Sequence, residues 1–295
     1  MPVSNLIDFL SDVQKILYTW TSTKLSALPE YPRRSDVDQR AKTAWYRGQA
    51  ESGWNLRPSV CRLDGYTVRR EIDMNLAYRR RVSFLPNMPP PYDLGAWLTL
   101  MQHYRLPTRL LDWTENPTMA LYFAIEEYAL YARWHREELF SPVVWMVNPF
   151  ALNWVSTEHA SSLVPSTDLR EVSGSKPTDV STALGCWNIF AAFGGQPEGT
   201  KEFEGPMAVV PHKLDWRMHT QRARFTVHGS NKDPIERMFR GRDQEDLEAL
   251  GFITRINVEP TAATTLLAEL AAIGITRSVL FPDPEGVAIE TAREF

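Results

Sequence analysis

The segment that most restricts the possible folds is Gln102–Ala124, QHYRLPTRLLDWTENPTMALYFA. Pro107 ends one amphipathic segment, and Asn116 followed by Pro117 is typical of a helix start. A short strand-like run with polar and aromatic side chains lies between them. Proteins bind anions at helix starts because free N–H groups and the helix dipole point there. The sequence therefore predicts half of a binding or active site at this strand–helix boundary.

Composition is typical of a globular, water-soluble protein. Hydrophobic residues make up 43% and charged residues 23% of the chain, and the net charge of −4 predicts no general attraction to nucleic acid or anionic membranes. The two cysteines, Cys61 and Cys186, favour a reducing, cytoplasmic compartment. The acidic residues in MPVSNLIDFLSDV argue against a signal peptide, and no apolar run is long enough to span a membrane. We expect a cytoplasmic protein without a membrane partner.

A metal site is not expected. The six histidines lack a metal-binding spacing such as HExxH, and two distant cysteines cannot form a zinc site alone. A metal-dependent nuclease would need converging carboxylates, which the scattered Asp112, Asp283 and Glu285 do not establish.

Periodicity predicts an α+β fold. Helical spacing predicts helices over 5–20, 68–82, 93–104, 117–136 and 260–272. Apolar runs predict strands over 44–47, 110–113, 142–147, 207–210, 224–228, 252–258 and 277–281. We expect one domain over 1–295, with a helical part to about 140 and a strand-rich part from about 207. The Ser/Thr/Gly/Pro-rich stretch 150–206 between them suggests a long insertion that serves as a lid or binding loop.

The run Trp45–Gln49 is the candidate for the second half of the site. The planar, permanently charged guanidinium of Arg47 can hold a diphosphate bidentately, and Gly48 allows a ligand to approach the backbone closely. Alternatively, Arg47 joins strands through a carboxylate such as Asp112. Gln49 can bind an amide or hydroxyl group, or serve as a turn residue.

Several side chains around the strand–helix boundary have both a functional and a structural interpretation. His103 can orient a ribose or act as a base, although a core position is the commoner case. Arg109 can bind a phosphate or only support the structure. Asp112 is costly within an apolar strand unless it is paired, so a structural ion pair is as reasonable as catalysis. Trp113 can stack on a flat ring or pack in the core. Thr114 and Asn116 are helix caps that can coincide with a ligand site.

These motifs resemble those of the FRG-domain family, which is named for a Phe/Tyr-Arg-Gly motif. Here that motif is Tyr46-Arg47-Gly48, and the block Gln102–Ala124 is the second signature. The third is Gln221–Phe225 together with Leu280–Asp283. The long middle block in the correct order is specific, whereas Tyr-Arg-Gly alone is weak.

The chain also distantly resembles arginine-serine-glutamate ADP-ribosyltransferases. That resemblance implies an Arg on a first strand, a second strand that leads into an Ala-rich helix, and a catalytic Glu on a later strand. Arg47 matches the first element, and Leu111–Thr114 leading into Ala120–Ala124 matches the second in layout. The third falls on Gln221, where the family has Glu, and no Ser-Thr-Ser triplet is present. Glu285 or Asp283 are alternative sources of the missing charge.

The resemblance implies an ADP-ribosyltransferase-like mixed sheet core and NAD as the substrate. The enzyme would transfer ADP-ribose to a protein, a nucleic acid or water, as a toxin or phage-defence effector does. The implied catalytic residues are Arg47, Asp112 and Gln221. The residues expected to bind NAD are Tyr46, Gly48, Gln49, His103, Arg109, Trp113, Thr114 and Asn116. The alternative is a non-catalytic nucleotide or nucleic-acid binding module that has lost the catalytic Glu.

Overall fold

A computed structural model describes residues 1–22, 43–134, 141–157, 164, 188–189, 191–194, 204–211, 215–238 and 252–295. The helices are α1 Leu6–Ser22, α2 Val68–Val82, α3 Leu94–His103, α4 Pro117–Trp134, α5 Pro149–Ser156, α6 Trp216–Thr220, α7 Ile235–Met238, α8 Ala263–Ala272, α9 Arg277–Leu280 and α10 Pro284–Glu294. The strands are β1 Trp45–Gln49, β2 Leu110–Thr114, β3 Val143–Val147, β4 Met207–Val209, β5 Ala223–Val227 and β6 Ile253–Asn257. No described helix is long and apolar enough to cross a membrane.

The fold is α+β, as the sequence predicts. Its six strands form one sheet in the order β4-β5-β2-β1-β3-β6, and every neighbouring pair is antiparallel. The prediction of a mixed sheet, with both parallel and antiparallel pairs, is therefore wrong. Strands β2 and β3 run in the same direction and are joined through α4, but β1 lies between them, so this βαβ unit makes no parallel ladder.

Two further details differ from the sequence prediction. The segment 277–281, expected as a strand, contains the short helix α9, in which Phe281 N–H donates to Arg277 O at 2.7 Å. Helix α5 occupies the start of the segment 150–206, and most of the remainder lies outside the described residues. Gly274, with φ of +81°, follows α8 where the sequence predicts a helix end.

The sheet is covered on both faces. On one face, α1, α4 and α8 pack against Tyr46, Val144 and Met146. On the other, α5 packs against a cluster that includes Trp45, Trp113 and Trp145. A third cluster joins α3 to β2, β4 and β5. Strand β1 is therefore buried in the centre of the sheet. The sheet opens on one side, where β1 pairs with β2 over a short length only.

The opening lies between β1 and β2. Strand β1 pairs with β3 along all five residues, from Trp45 to Gln49. Within the two described strands, its pairing with β2 is confined to Tyr46 opposite Thr114. Beyond this residue pair, β1 and β2 are not paired with each other. The space between the two strands can therefore hold side chains and a ligand.

Gly48 allows α4 to pack directly on β1. A Cβ atom at position 48 would lie 2.0 Å from the Ala120 carbonyl oxygen and 2.6 Å from the Ala124 nitrogen. We expect Gly48→Ala to lower the free energy of unfolding by about 1 to 3 kcal/mol, because backbone cannot move aside as a flexible side chain can. Urea unfolding measures this change. The control is Gly53→Ala, where the nearest atom is the flexible Glu51 carboxylate at 3.3 Å; equal effects would contradict the prediction.

His228 makes stability depend on pH. It is fully buried, and neither ring nitrogen has a hydrogen-bond partner in the described part of the chain. Burial, followed by the charges of Arg109 and Arg57, lowers the pKa of His228 from 6.5 to about 3. Between these two values the unfolded chain binds more protons than the folded one, so the free energy of unfolding falls as the pH falls.

Changing the pH from 8 to 5 should therefore cost about 2 kcal/mol through this residue alone. Urea unfolding at both pH values gives the change in the free energy of unfolding between pH 8 and pH 5. This change should be about 2 kcal/mol smaller in His228→Leu than in the parent. The same pH dependence in both proteins would contradict a neutral, buried imidazole.

Candidate functional site

A cavity of about 610 Å³ opens beside the separated β1 and β2. This volume falls in the range of pockets that hold small molecules and cofactors. Side chains from α3, α4, α6 and α9 complete its walls. Among the predicted site residues, the lining contains Tyr46, Arg47, Gly48, His103, Asp112, Trp113, Thr114 and Gln221. The two predicted halves, from β1 and from the β2–α4 boundary, thus line the same cavity.

Arg47 extends across the gap between β1 and β2. Its Nη1 donates to the Asp112 carbonyl oxygen at 2.8 Å and lies 3.8 Å from Asp112 Oδ2. Its Nε is buried without a hydrogen-bond partner among the described residues. Burial lowers the pKa of Arg47, while the charges of Asp112 and Glu127 oppose this shift. A guanidinium stays charged even so, and this one is incompletely satisfied, as is common at binding sites.

A polar chain holds the Asp112 carboxylate. Thr108 Oγ1 donates to Gln102 Oε1, and Gln102 Nε2 donates to Asp112 Oδ2 at 2.8 Å. The Asp112 side chain is 55% exposed, so it is open to the cavity and to solvent. In the structural alternative, Arg47 joins the two strands through the Asp112 carboxylate. The structure shows part of this: the main contact of Arg47 is with the Asp112 backbone oxygen, and the carboxylate lies 3.8 Å away. The carboxylate keeps acceptor capacity for a ligand hydroxyl.

Gln221 lies at the opposite wall and is anchored at two points. Its Nε2 donates to the Leu280 carbonyl at 2.9 Å, and its backbone oxygen accepts from Thr114 Oγ1 at 2.7 Å. The second bond ties β2 to the residue that directly follows α6. One of the two side-chain N–H donors is therefore occupied, and Gln221 can offer a ligand its amide oxygen and the other N–H.

Aromatic rings and cations form the remaining wall. The Arg217 guanidinium lies 4.4 Å above the Phe281 ring and that of Arg277 lies 4.7 Å from it. Phe123 contacts Phe281 edge-on, with ring centroids 6.0 Å apart. Arg277 is neutralised by Glu126 at 2.7 Å, whereas Arg217 makes no ion pair within the described residues. Arg47, Arg105 and Arg217 are thus the lining arginines that Glu126 does not neutralise, and they offer positive charge to an anionic ligand.

His103 and Tyr46 line the cavity with restricted side chains. His103 Nε2 lies 3.1 Å from Asp215 Oδ2, an interaction that joins the end of α3 to the start of α6. Tyr46 is 4% exposed, and burial raises its pKa to about 12. A neutral phenol at physiological pH contributes a hydrogen-bonding group and an aromatic surface rather than a base.

Three predicted NAD-binding residues lie outside the cavity lining. Arg109 is 2% exposed and its guanidinium binds both oxygens of Glu71, at 2.8 and 2.9 Å. Gln49 accepts from Trp145 Nε1 at 2.9 Å in the core. Asn116 Oδ1 caps α4 by accepting from the Thr118 backbone N–H at 2.9 Å. In each case another part of the protein already occupies the polar group.

Trp113 and the C-terminal carboxylates also have structural partners. Trp113 contributes to the cavity wall but is only 3% exposed, and its indole N–H donates to Thr226 Oγ1 at 3.1 Å. Asp283 caps α10 by accepting from the Gly286 N–H at 2.7 Å. Neither Asp283 nor Glu285 is among the cavity-lining residues. Neither therefore contributes a carboxylate to the cavity lining around Gln221.

The lining also contains residues that sequence reasoning missed. The charged ones are Arg105, Glu126, Glu127, Arg217 and Arg277; Glu127 lies on α4 and Arg217 on α6. A signal for Glu127 was present: it continues the stripe of Ala120, Phe123 and Ala124 at helical spacing, and that stripe faces the sheet. Arg217 had no comparable signal because α6 is too short to define a face.

Backbone strain is concentrated near the cavity. Described non-glycine residues with positive φ are Asn87, Arg105 and Arg222. Arg105 lines the cavity, and Arg222 directly follows Gln221. Such conformations persist where the surrounding structure imposes them, often at ligand sites.

A second cavity of about 620 Å³ lies near β3 and β6. Its Arg255 lies 5.5 Å from the Trp145 ring centre and donates to Ser52 O. Its carboxylates Glu51 and Glu236 accept backbone N–H groups at 2.8 and 3.2 Å. None of the predicted site residues lines this second cavity. Within the described ranges, no group of three or more His, Cys, Asp or Glu residues is arranged to hold a metal.

Comparison with known families gives one match. The family model of the FRG domain matches residues 42–132, which include β1, β2 and most of α4. The chain contains an FRG domain. Within the cavity, Arg47, Asp112 and Glu127 belong to the matched FRG segment, whereas Arg217 and Gln221 follow it. Comparisons with curated proteins and with solved structures find no match.

Proposed function

We propose that this FRG-domain protein is an NAD-dependent ADP-ribosyltransferase. The observation that carries the proposal is that Arg47, Asp112 and Gln221, which are separated in sequence by 65 and then 109 positions, line one cavity of about 610 Å³. Arg47 lies on β1 and Asp112 on β2, and Gln221 lies two residues before β5; these three strands are neighbours in the sheet order β5-β2-β1.

The cavity offers groups for each part of NAD. Arg47 and Arg217 supply positive charge for the diphosphate, and a guanidinium can bind phosphate oxygens in pairs. Phe123 and Phe281 offer aromatic surface for a base or nicotinamide ring. The Asp112 carboxylate and the Gln221 amide oxygen accept hydrogen bonds from ribose hydroxyls.

The proposed reaction begins with cleavage of the glycosidic bond to nicotinamide. The bonding electrons leave with nicotinamide, and positive charge develops on the ribose. The exposed Asp112 carboxylate stabilises this charge electrostatically, and the neutral Gln221 oxygen adds a weaker dipole. A nucleophile then bonds to the same ribose carbon and releases a proton.

Incubation with NAD labelled in both the nicotinamide and the adenylate parts tests the proposal. We expect nicotinamide release by the parent, and strong losses in Arg47→Ala and Gln221→Ala. Arg69→Ala is the matched control because this arginine is 83% exposed on α2, outside the cavity. Folded parent protein that releases no nicotinamide would contradict an enzymatic function.

One observation favours a second candidate, a non-catalytic nucleotide-binding module. Gln221 stands where the resemblance implies Glu, and its amide nitrogen is tied to the Leu280 carbonyl. Such a protein would bind NAD, and lose binding in Arg47→Ala, without releasing nicotinamide. The doubly labelled substrate therefore separates the two functions.

A further inference from the structure

Glu127 is a carboxylate of the cavity wall that forms no ion pair with the described part of the chain. It lies on α4, lines the cavity and is half-buried. The groups that act on its charge are Arg47, the Ala50 backbone N–H and Arg62. Neither arginine lies within ion-pair distance of it among the described residues. The carboxylate is therefore available at the cavity wall.

The other cavity carboxylates are less suited to proton transfer. Glu126 is 6% exposed, and its Oε1 accepts from Tyr122, Arg277 and Arg293 at 3.0, 2.7 and 2.8 Å. Two arginines and a phenol already bind this one oxygen, so the carboxylate serves a structural network. Asp112 is largely exposed and already accepts from Gln102.

We propose that Glu127 is the general base of the transfer step, which takes the proton of the incoming nucleophile. This inference rests on the proposed function. As the bond between the ribose carbon and nicotinamide breaks, its electron pair leaves with nicotinamide. The nucleophile's oxygen or nitrogen bonds to that carbon, and its proton moves to a Glu127 oxygen and then to water. The products are ADP-ribosylated acceptor, or ADP-ribose when water attacks, with nicotinamide and one proton.

The environment of Glu127 supports this role. Burial raises the pKa of Glu127 above 4.5, although Arg47, Ala50 N–H and Arg62 act in the opposite direction. A carboxylate with a raised pKa binds a proton more strongly than an exposed one. The charge of Arg47 favours the ionised form that accepts the proton, and both side chains line the same cavity.

The isosteric variant Glu127→Gln tests the assignment. We expect kcat for transfer to fall by about 10² to 10⁴, the usual contribution of a general base, while KM for NAD changes little. The acidic limb of the parent's kcat/KM profile should have a midpoint above 4.5 and should be absent from the variant. NAD binding by the variant reports an intact cavity. Asp73→Asn, an exposed carboxylate on α2, is the control and should match the parent.

The outcomes separate the two proposals. A parent that releases nicotinamide, with Glu127→Gln equally active, overturns the role of Glu127 and leaves the proposed function intact. A variant whose KM rises while the acidic limb persists also overturns it, because Glu127 would then only position Arg47. A parent with no nicotinamide release overturns both. Should the variant fail to fold, a parent profile without an acidic limb above 4.5 rejects the assignment by itself.

Discussion

Arg47→Ala should lower nicotinamide release by about 10² to 10³, the usual loss when one preorganised charged or hydrogen-bonding group is removed from an active site. The guanidinium is held across the β1–β2 gap by the Asp112 carbonyl, so its position is set before a ligand arrives. Alanine removes both the positive charge and the donors. Steady-state measurement of nicotinamide release gives the effect directly.

Arg47→Lys separates charge from geometry. Lysine keeps one positive charge but cannot donate in the planar, paired arrangement, so we expect an activity between those of the parent and Arg47→Ala. Arg69→Ala should behave as the parent because that side chain is exposed on α2. Parental activity in Arg47→Ala would mean that the diphosphate is held elsewhere.

Glu71→Gln should lower the free energy of unfolding by about 3 to 5 kcal/mol, because it leaves the Arg109 charge buried without its counter-charge. The two side chains are 0% and 2% exposed and form paired bonds of 2.8 and 2.9 Å. Arg109, which directly precedes β2, also donates to the carbonyls of Asn188 and of His228, the residue after β5, so α2 is tied to the ends of both strands. Urea unfolding monitored by tryptophan fluorescence measures the loss.

A surface pair on the same helix supplies the control. Arg69 and Asp73 form an exposed ion pair at 3.0 Å, and Asp73→Asn should cost less than about 1 kcal/mol. The double variant Glu71→Met/Arg109→Met should recover part of the stability lost in Glu71→Gln, because neither charge then remains buried. If Glu71→Gln and Asp73→Asn had the same free energy of unfolding, the buried Glu71–Arg109 pair would not be needed for stability.

The sequence was informative where polar residues interrupt an apolar pattern at the end of an element. Arg47 beside Gly48, and Asp112 before the Asn116–Pro117 helix start, had this signature, and both halves line the cavity. Local patterns also located the helices 68–82 and 93–104 to within one residue. These features depend on neighbours in the chain, so they can be seen without a structure.

Long-range partners could not be predicted in the same way. Arg109 directly precedes β2, three residues before Asp112, but Glu71 lies 38 residues earlier and pairs with its guanidinium in the core, outside the cavity. Segment 277–281 has a strand-like composition, yet Thr276 and Arg277 accept helical backbone bonds there and Ser278 N–H donates to Glu290. Contacts with α10 decide the conformation of so short a segment. The apolar pattern of residues 277–281 carries no information about those contacts.

The most direct measurement is a calorimetric titration of NAD into the parent, Arg47→Ala and Arg255→Ala. Arg255 lines the second cavity, so this variant tests the competing location. We expect saturable one-to-one binding by the parent, weakening of about tenfold or more in Arg47→Ala, and parental affinity in Arg255→Ala. No binding by the parent, or weakening by Arg255→Ala alone, would contradict an NAD site between β1 and β2.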